Sequence, residues 1–100
     1  MNQSKVLSYI GLATKSGNVA SGEFSTEKAV KEGKAKLVIV AEDASDNTKK
    51  LFRNMCDYYK VPVYSLSEKG ELGHAMGKQF RASLAILDQG LADAIIKQLN

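Results

Sequence analysis

Glu42 and Asp43 follow directly on the apolar run Leu37-Val38-Ile39-Val40-Ala41. Two carboxylates at the end of a buried strand stand where α/β proteins often place ligands. With a third oxygen donor they could hold Mg²⁺. Asp88, at the end of the apolar run Ala82 to Leu87, is the candidate for that third group. The competing reading is structural: Asp43 or Ser45 caps the next helix, and Glu42 is a surface side chain. A phosphate-transfer site would also want Lys or Thr at a matching strand end, and none is placed there. Cys56 has no partner for an internal disulfide and reads as a buried small hydrophobe. His74 completes no metal-ligand set and no nucleophile–base pair. Leu72-Gly73-His74-Ala75-Met76-Gly77 lacks both the preceding strand and the following Lys-Ser/Thr of a phosphate loop. These residues point away from catalysis, and no cofactor or metal is expected.

The basic residues are better placed for chemistry. Net charge is only +3, but residues 1–36 hold six Lys against three Glu, and the rest of the chain balances eight against eight. The whole excess therefore lies in the first third, where it can attract phosphate. The alternative is a solvated helix face of alternating charge. Two aromatic residues fall outside the regular apolar stripes. Phe24 begins the basic helix, and Phe80 stands beside Arg81 in a loop. An exposed ring next to a cation suits stacking on a base; equally, both rings could cap the core.

The elements that must position these groups alternate. Ser4 can cap a first helix over about Lys5 to Ala13, and Val19-Ala20 is a very short strand. A second helix runs from Gly22 or Glu23 to about Glu32, with Ala29 and Val30 inward and Gly33 as its left-handed stop. Leu37 to Ala41 is apolar without alternation, the mark of a strand covered on both faces. A third helix spans about Asn47 to Tyr59, with Leu51, Met55 and Tyr58 on one stripe and Phe52, Cys56 and Tyr59 on the next. Val61 to Tyr64 is an edge-like strand, since Pro62 cannot donate to a ladder. A short helix within Ser67–Gly77, a last strand over Ala82–Leu87 and a final helix carrying Leu91, Ile95 and Leu99 complete the chain. This pattern predicts an α/β fold: a three-layer α/β/α sandwich with a small mixed, largely parallel four-stranded sheet.

One hundred residues, 44% of them hydrophobic, make one domain with an ordinary core. No apolar run approaches the roughly 20 residues that span a bilayer. Residues Met1 to Lys5 lack the form of a signal peptide. A cytoplasmic protein without membrane contact is expected.

Several segments together resemble the L7Ae family of ribosomal and ribonucleoprotein components. They are Lys28-Ala29-Val30, Gly33, Ala35-Lys36-Leu37-Val38-Ile39-Val40-Ala41-Glu42-Asp43, Val61-Pro62-Val63, and Leu72-Gly73-x-Ala75-x-Gly77. Within it the chain looks most like the bacterial stand-alone branch. The resemblance implies an α/β/α sandwich that binds kink-turns, RNA duplexes bent sharply at a bulge beside sheared G·A pairs. It also implies that the second helix enters the widened groove by its N-terminal end and that a loop before the last strand covers the bulged nucleotides. A-form grooves admit few side chains, so a distorted site is what a small domain can read. The family signature G-x-N-E-x-x-K matches Gly22, Glu23, Phe24, Ser25, Thr26, Glu27 and Lys28, with Phe24 and Ser25 in place of the Asn and Glu that read the G·A pairs. In the covering loop, where the family tends to be apolar, this chain has Lys78-Gln79-Phe80-Arg81.

The expected RNA-binding residues are therefore Gly22 for close backbone approach, with Glu23 and Phe24 beside it, Ser25 for a hydrogen bond, and Lys28 and Lys31 for phosphate. Lys69 and Arg81 would hold the flanking backbone, Phe80 would stack or pack on a bulged base, and Ser45 would face the bulged nucleotide. The expected partner is a kink-turn RNA, of ribosomal or other origin, bound by a monomer. The alternative is a protein-interaction module of the same fold that has lost specific RNA binding.

Overall fold

The structure, a computed structural model, describes residues 2–100. In chain order its elements are α1 (Gln3–Lys15), β1 (Val19–Ser21), α2 (Glu23–Lys31), β2 (Leu37–Val40), α3 (Asp46–Tyr59), β3 (Val63–Ser65), α4 (Lys69–Ala75), β4 (Ser83–Ile86) and α5 (Gln89–Leu99). Helices α1, α4 and α5 pack together on one face of the sheet, and α2 and α3 pack together on the other. The α/β/α sandwich expected from the alternation of elements is the fold observed.

The strands lie in the order β1-β4-β2-β3. Only β2 and β3 are parallel; β4 runs antiparallel to both β1 and β2. The sheet is mixed, as expected, but not largely parallel. The apolar runs of β2 and β4 reflect burial on both faces, and all eight of their residues are buried. Burial of that kind is compatible with either strand direction, so the sequence pattern did not fix it. Strand β3 pairs with β2 alone and is an edge, as Pro62 implied.

Capping explains most of the shifted helix boundaries. The Asn2 side chain, not Ser4, caps α1 by accepting from the Lys5 amide at 3.1 Å. Ser45, one of the two expected caps, caps α3, whose first residue Asp46 is one earlier than expected, and Asp88 caps α5 by accepting from the Leu91 amide at 2.9 Å. Helix α4 opens on a capping box between Glu68 and Glu71. Gly11 sits mid-helix because a Cβ there would stand 3.2 Å from the Ala75 carbonyl oxygen of α4. In α3 the buried stripe is Phe52, Met55 and Cys56. Leu51 and Tyr58 are exposed, so the stripe through Leu51, Met55 and Tyr58 is corrected; the ring of Tyr58 stands edge-on to Tyr59 in solvent.

Candidate nucleic-acid interface

The reversed direction of β4 decides what meets at one end of the sheet. Ser21 of β1 pairs with Leu84, and Val40 of β2 pairs with both Ser83 and Ser65. The C-terminal ends of β1, β2 and β3 therefore lie level with the N-terminal end of β4. Four chain segments converge there: the start of α2, the Ala41–Asp43 turn, the approach to α4, and the loop ahead of β4. Backbone bonds lace them together. The Gly22 amide donates to the Ser83 carbonyl at 2.9 Å, Ala41 to Ala82 at 2.8 Å, and Glu42 to Ser67 at 2.7 Å.

Gly22 precedes α2 with φ 90° and ψ 161°, a left-handed-side backbone that glycine alone adopts freely. No side chain caps this helix. Thr26 is the first residue whose amide finds a helical acceptor, the Gly22 carbonyl at 3.0 Å. The amides of Glu23, Phe24 and Ser25 take no protein acceptor among the described residues, and the helix dipole adds a partial positive charge at the same point. Such a helix start suits an anion. Thr26 is buried beneath, where its hydroxyl accepts from the Ser83 hydroxyl at 3.4 Å and seats α2 on β4.

Phe24 is 77% exposed, which settles its two sequence readings: the ring is on the surface and not in the core. Glu23, Ser25 and Lys28 are exposed alongside it. Lys28 makes no ion pair among the described residues, whereas Lys31 donates to Glu27 at 2.9 Å one turn away. That hydrogen bond, and with it the Glu27 charge, raises the pKa of Lys31.

Arg81 organises the other side. Its backbone amide donates to the Lys69 carbonyl at 3.1 Å, its Nε to the Ser21 hydroxyl at 3.2 Å, and its Nη1 to the Phe80 carbonyl at 2.8 Å. The Phe80 ring is 66% exposed and lies over Gly70, where a Cβ would be 3.8 Å from it. Phe80, like Phe24, is a surface ring. The loop is held down at Gly73, where a Cβ would fall on the Gln79 carbonyl group. The Lys69 amide donates to Asp43 Oδ1 at 2.8 Å, so Asp43 ties the turn after β2 to α4.

The structure thus brings Gly22, Glu23, Phe24, Ser25, Lys69, Phe80 and Arg81 to one end, with Lys28 and Lys31 following along α2. Ser45 is differently engaged. Its hydroxyl accepts from the Thr48 amide at 3.1 Å and donates to Thr48 Oγ1 at 3.0 Å. Ser21 and the Thr26–Ser83 pair were not singled out from the sequence, and the bond from the Lys69 amide to Asp43 did not follow from it. Their importance depends on contacts 26 to 60 residues apart, which local spacing does not reveal.

The carboxylate alternative fails on topology. Leu37 pairs with Ile86, so Asp88 lies at the opposite end of the sheet from Glu42 and Asp43. No group of three or more His, Cys, Asp or Glu side chains is placed to hold a metal among the described residues. Cys56 is buried, and that burial pushes its thiol up to about 11. His74 is a surface residue.

The family described as ribosomal protein L7Ae/L30e/S12e/Gadd45 matches residues 4–96. The Bacillus subtilis RNA-binding protein YlxQ is 41% identical over 91 residues, covering 91% of both chains. The Candida albicans large ribosomal subunit protein eL30 is 40% identical over 100 residues, covering 94% of this chain and 91% of its own. A solved Bacillus halodurans protein of unknown function superposes with a TM-score of 0.90 at 34% identity, covering 93% of this chain and 94% of that one. The Giardia lamblia 15.5kD RNA binding protein shares the fold, with a TM-score of 0.84 at 23% identity over 96% of this chain and 85% of that one.

Proposed function

The chain belongs to the ribosomal protein L7Ae/L30e/S12e/Gadd45 family, and from that premise we propose that it is an RNA-binding protein recognising a kink-turn or similarly bent RNA. It acts by binding and not by catalysis, as relatives named as RNA-binding and ribosomal proteins suggest. The observation that carries the reading is the uncapped start of α2, with three unpaired amides, placed beside the exposed Phe80 and the anchored Arg81.

In this reading the α2 N-terminus enters a groove widened by the bend. Gly22 lets the RNA approach the backbone, and Glu23 and Phe24 border that approach. Ser25 offers a hydroxyl to a base edge or phosphate. Lys28 supplies an unpaired cation, with Lys31 behind it. Phe80 packs on an unstacked base, while Lys69 and Arg81 meet the flanking phosphates. Ser45 borders the site from the cap of α3. The binding unit is a monomer acting in the cytoplasm, with a ribosomal RNA as the natural class of target. No described helix is long and apolar enough to cross a membrane.

A titration against a kink-turn and a straight duplex of equal composition tests this. The kink-turn should bind more tightly at moderate salt. Equal affinities would leave only non-specific phosphate attraction and would favour a protein-interaction role for the same fold.

A further inference from the structure

We propose that the interface continues along the whole of α2 as a cationic and aromatic track that carries a single-stranded RNA segment flanking the bent element. The α2 start, in the reading above, is one end of it. From there Phe24, Lys28 and Lys31 line one shallow surface, together with Glu27 and Glu32, whose carboxylates pair with Lys31 and Lys34. Lys31 is shared with a second depression, of about 450 Å³, that Lys36, Tyr59 and Lys60 also line. The shared residue makes the two surfaces contiguous, and the track reaches the end of the sheet where β2 begins, beside Lys36.

In the far depression, charge and aromaticity match what a strand of RNA requires. No carboxylate lines the far depression. Lys31 is engaged by Glu27, but Lys28, Lys36 and Lys60 make no ion pair among the described residues. Lysines near the C-terminal ends of α2 and α3, Lys60 among them, also offset helix dipoles; that role does not require the exposed rings. Lys60 caps α3 in the left-handed region at φ 60°, a position where glycine is the usual residue. A lysine there puts a cation, without an ion pair among the described residues, on the track at a conformational cost. Phe24 at one end and Tyr59, 40% exposed, at the other are sequence-tolerant stacking platforms. Nine residues of α2 span about 13 Å, room for about four stacked nucleotides.

The test compares a minimal kink-turn with the same RNA carrying a single-stranded extension of about six nucleotides on its 5′ or 3′ side. The unchanged protein should bind one extended RNA about tenfold more tightly than the minimal one. Tyr59→Ala, and the pair Lys36→Ala with Lys60→Gly, should each lose most of that gain while binding the minimal RNA as before. Lys60→Gly suits the local backbone, so a folding defect is not its expected effect. A 2-aminopurine in the extension should be quenched by the unchanged protein and not by Tyr59→Ala. No gain from either extension, or a gain that the variants keep, overturns the proposal and leaves the strip to a protein partner. Loss of kink-turn preference in the minimal RNA would instead overturn the reading of the α2 start.

Discussion

Arg81 donates through Nε to the hydroxyl of Ser21 at 3.2 Å, across 60 positions of chain. The same residue holds the Lys69 carbonyl through its own amide. One residue, through its side chain and its backbone amide, therefore joins the end of β1, the start of α4 and the loop ahead of β4. Arg81 is thus a positioning group as well as a cation proposed to meet RNA.

Arg81→Lys separates those two roles. Lysine keeps the charge but lacks the planar fork that serves Ser21 and Phe80 together. Affinity for the kink-turn should fall while the salt dependence stays close to that of the unchanged protein. Arg81→Ala should lower both. Titrations at several salt concentrations distinguish the two variants.

Lys28→Ala should weaken binding and reduce the slope of log K against log salt by about one counterion's worth. Lys28 is exposed and makes no ion pair among the described residues, so its loss should change stability by less than about 0.5 kcal/mol. Lys31→Ala should have a smaller effect on the slope, because Glu27 already balances that cation. Equal slopes for Lys28→Ala and the unchanged protein would place the RNA elsewhere.

Gly73→Ala would drive a methyl group into the Gln79 carbonyl and leave it 2.9 Å from the Phe80 amide nitrogen. Backbone is the obstacle, so the loop must move. A loss of about 1–3 kcal/mol is the scale of such overpacking, read as a drop in melting temperature. Binding should suffer beyond that loss, since Phe80 is carried on the displaced segment.

Ser45→Ala removes the cap of α3 and should cost about 1 kcal/mol. For a chain of this size that lowers the melting temperature by roughly 4–8 °C. Ser45→Asp retains a capping oxygen and should restore most of the stability. If Ser45 also meets RNA, the aspartate variant should bind less tightly than its stability alone implies; unchanged binding would limit Ser45 to the cap.

Much of the fold was legible in the sequence because its signals are local. Gly33 stops α2 with φ 74°, Ala29 and Val30 face inward, and the unbroken run at β2 is buried on both faces. Strand direction was not legible, because β4 is placed by partners at residues 19–21 and 37–40 and not by anything within itself. The candidate site divides the same way. The α2 start follows from its own residues and the family signature. The surface placement of Phe24 required the structure, since Thr26, not the larger ring, is the residue that α2 turns toward β4. Asp43, open between cap and ligand in the sequence, holds the Lys69 amide.

The position of β4 between β1 and β2 also sets when recognition becomes possible during synthesis. Chains are made N-terminus first, at about 5–20 residues per second. The basic helix α2 emerges early, but its floor at Ser83, its neighbour Arg81 and the ring of Phe80 all belong to the last quarter of the chain. A nascent chain that ends before β4 has the charge of the binding surface without its shape. On the proposed reading, such a chain attracts any RNA weakly and selects a bent one only after the final strand has joined β1 to β2.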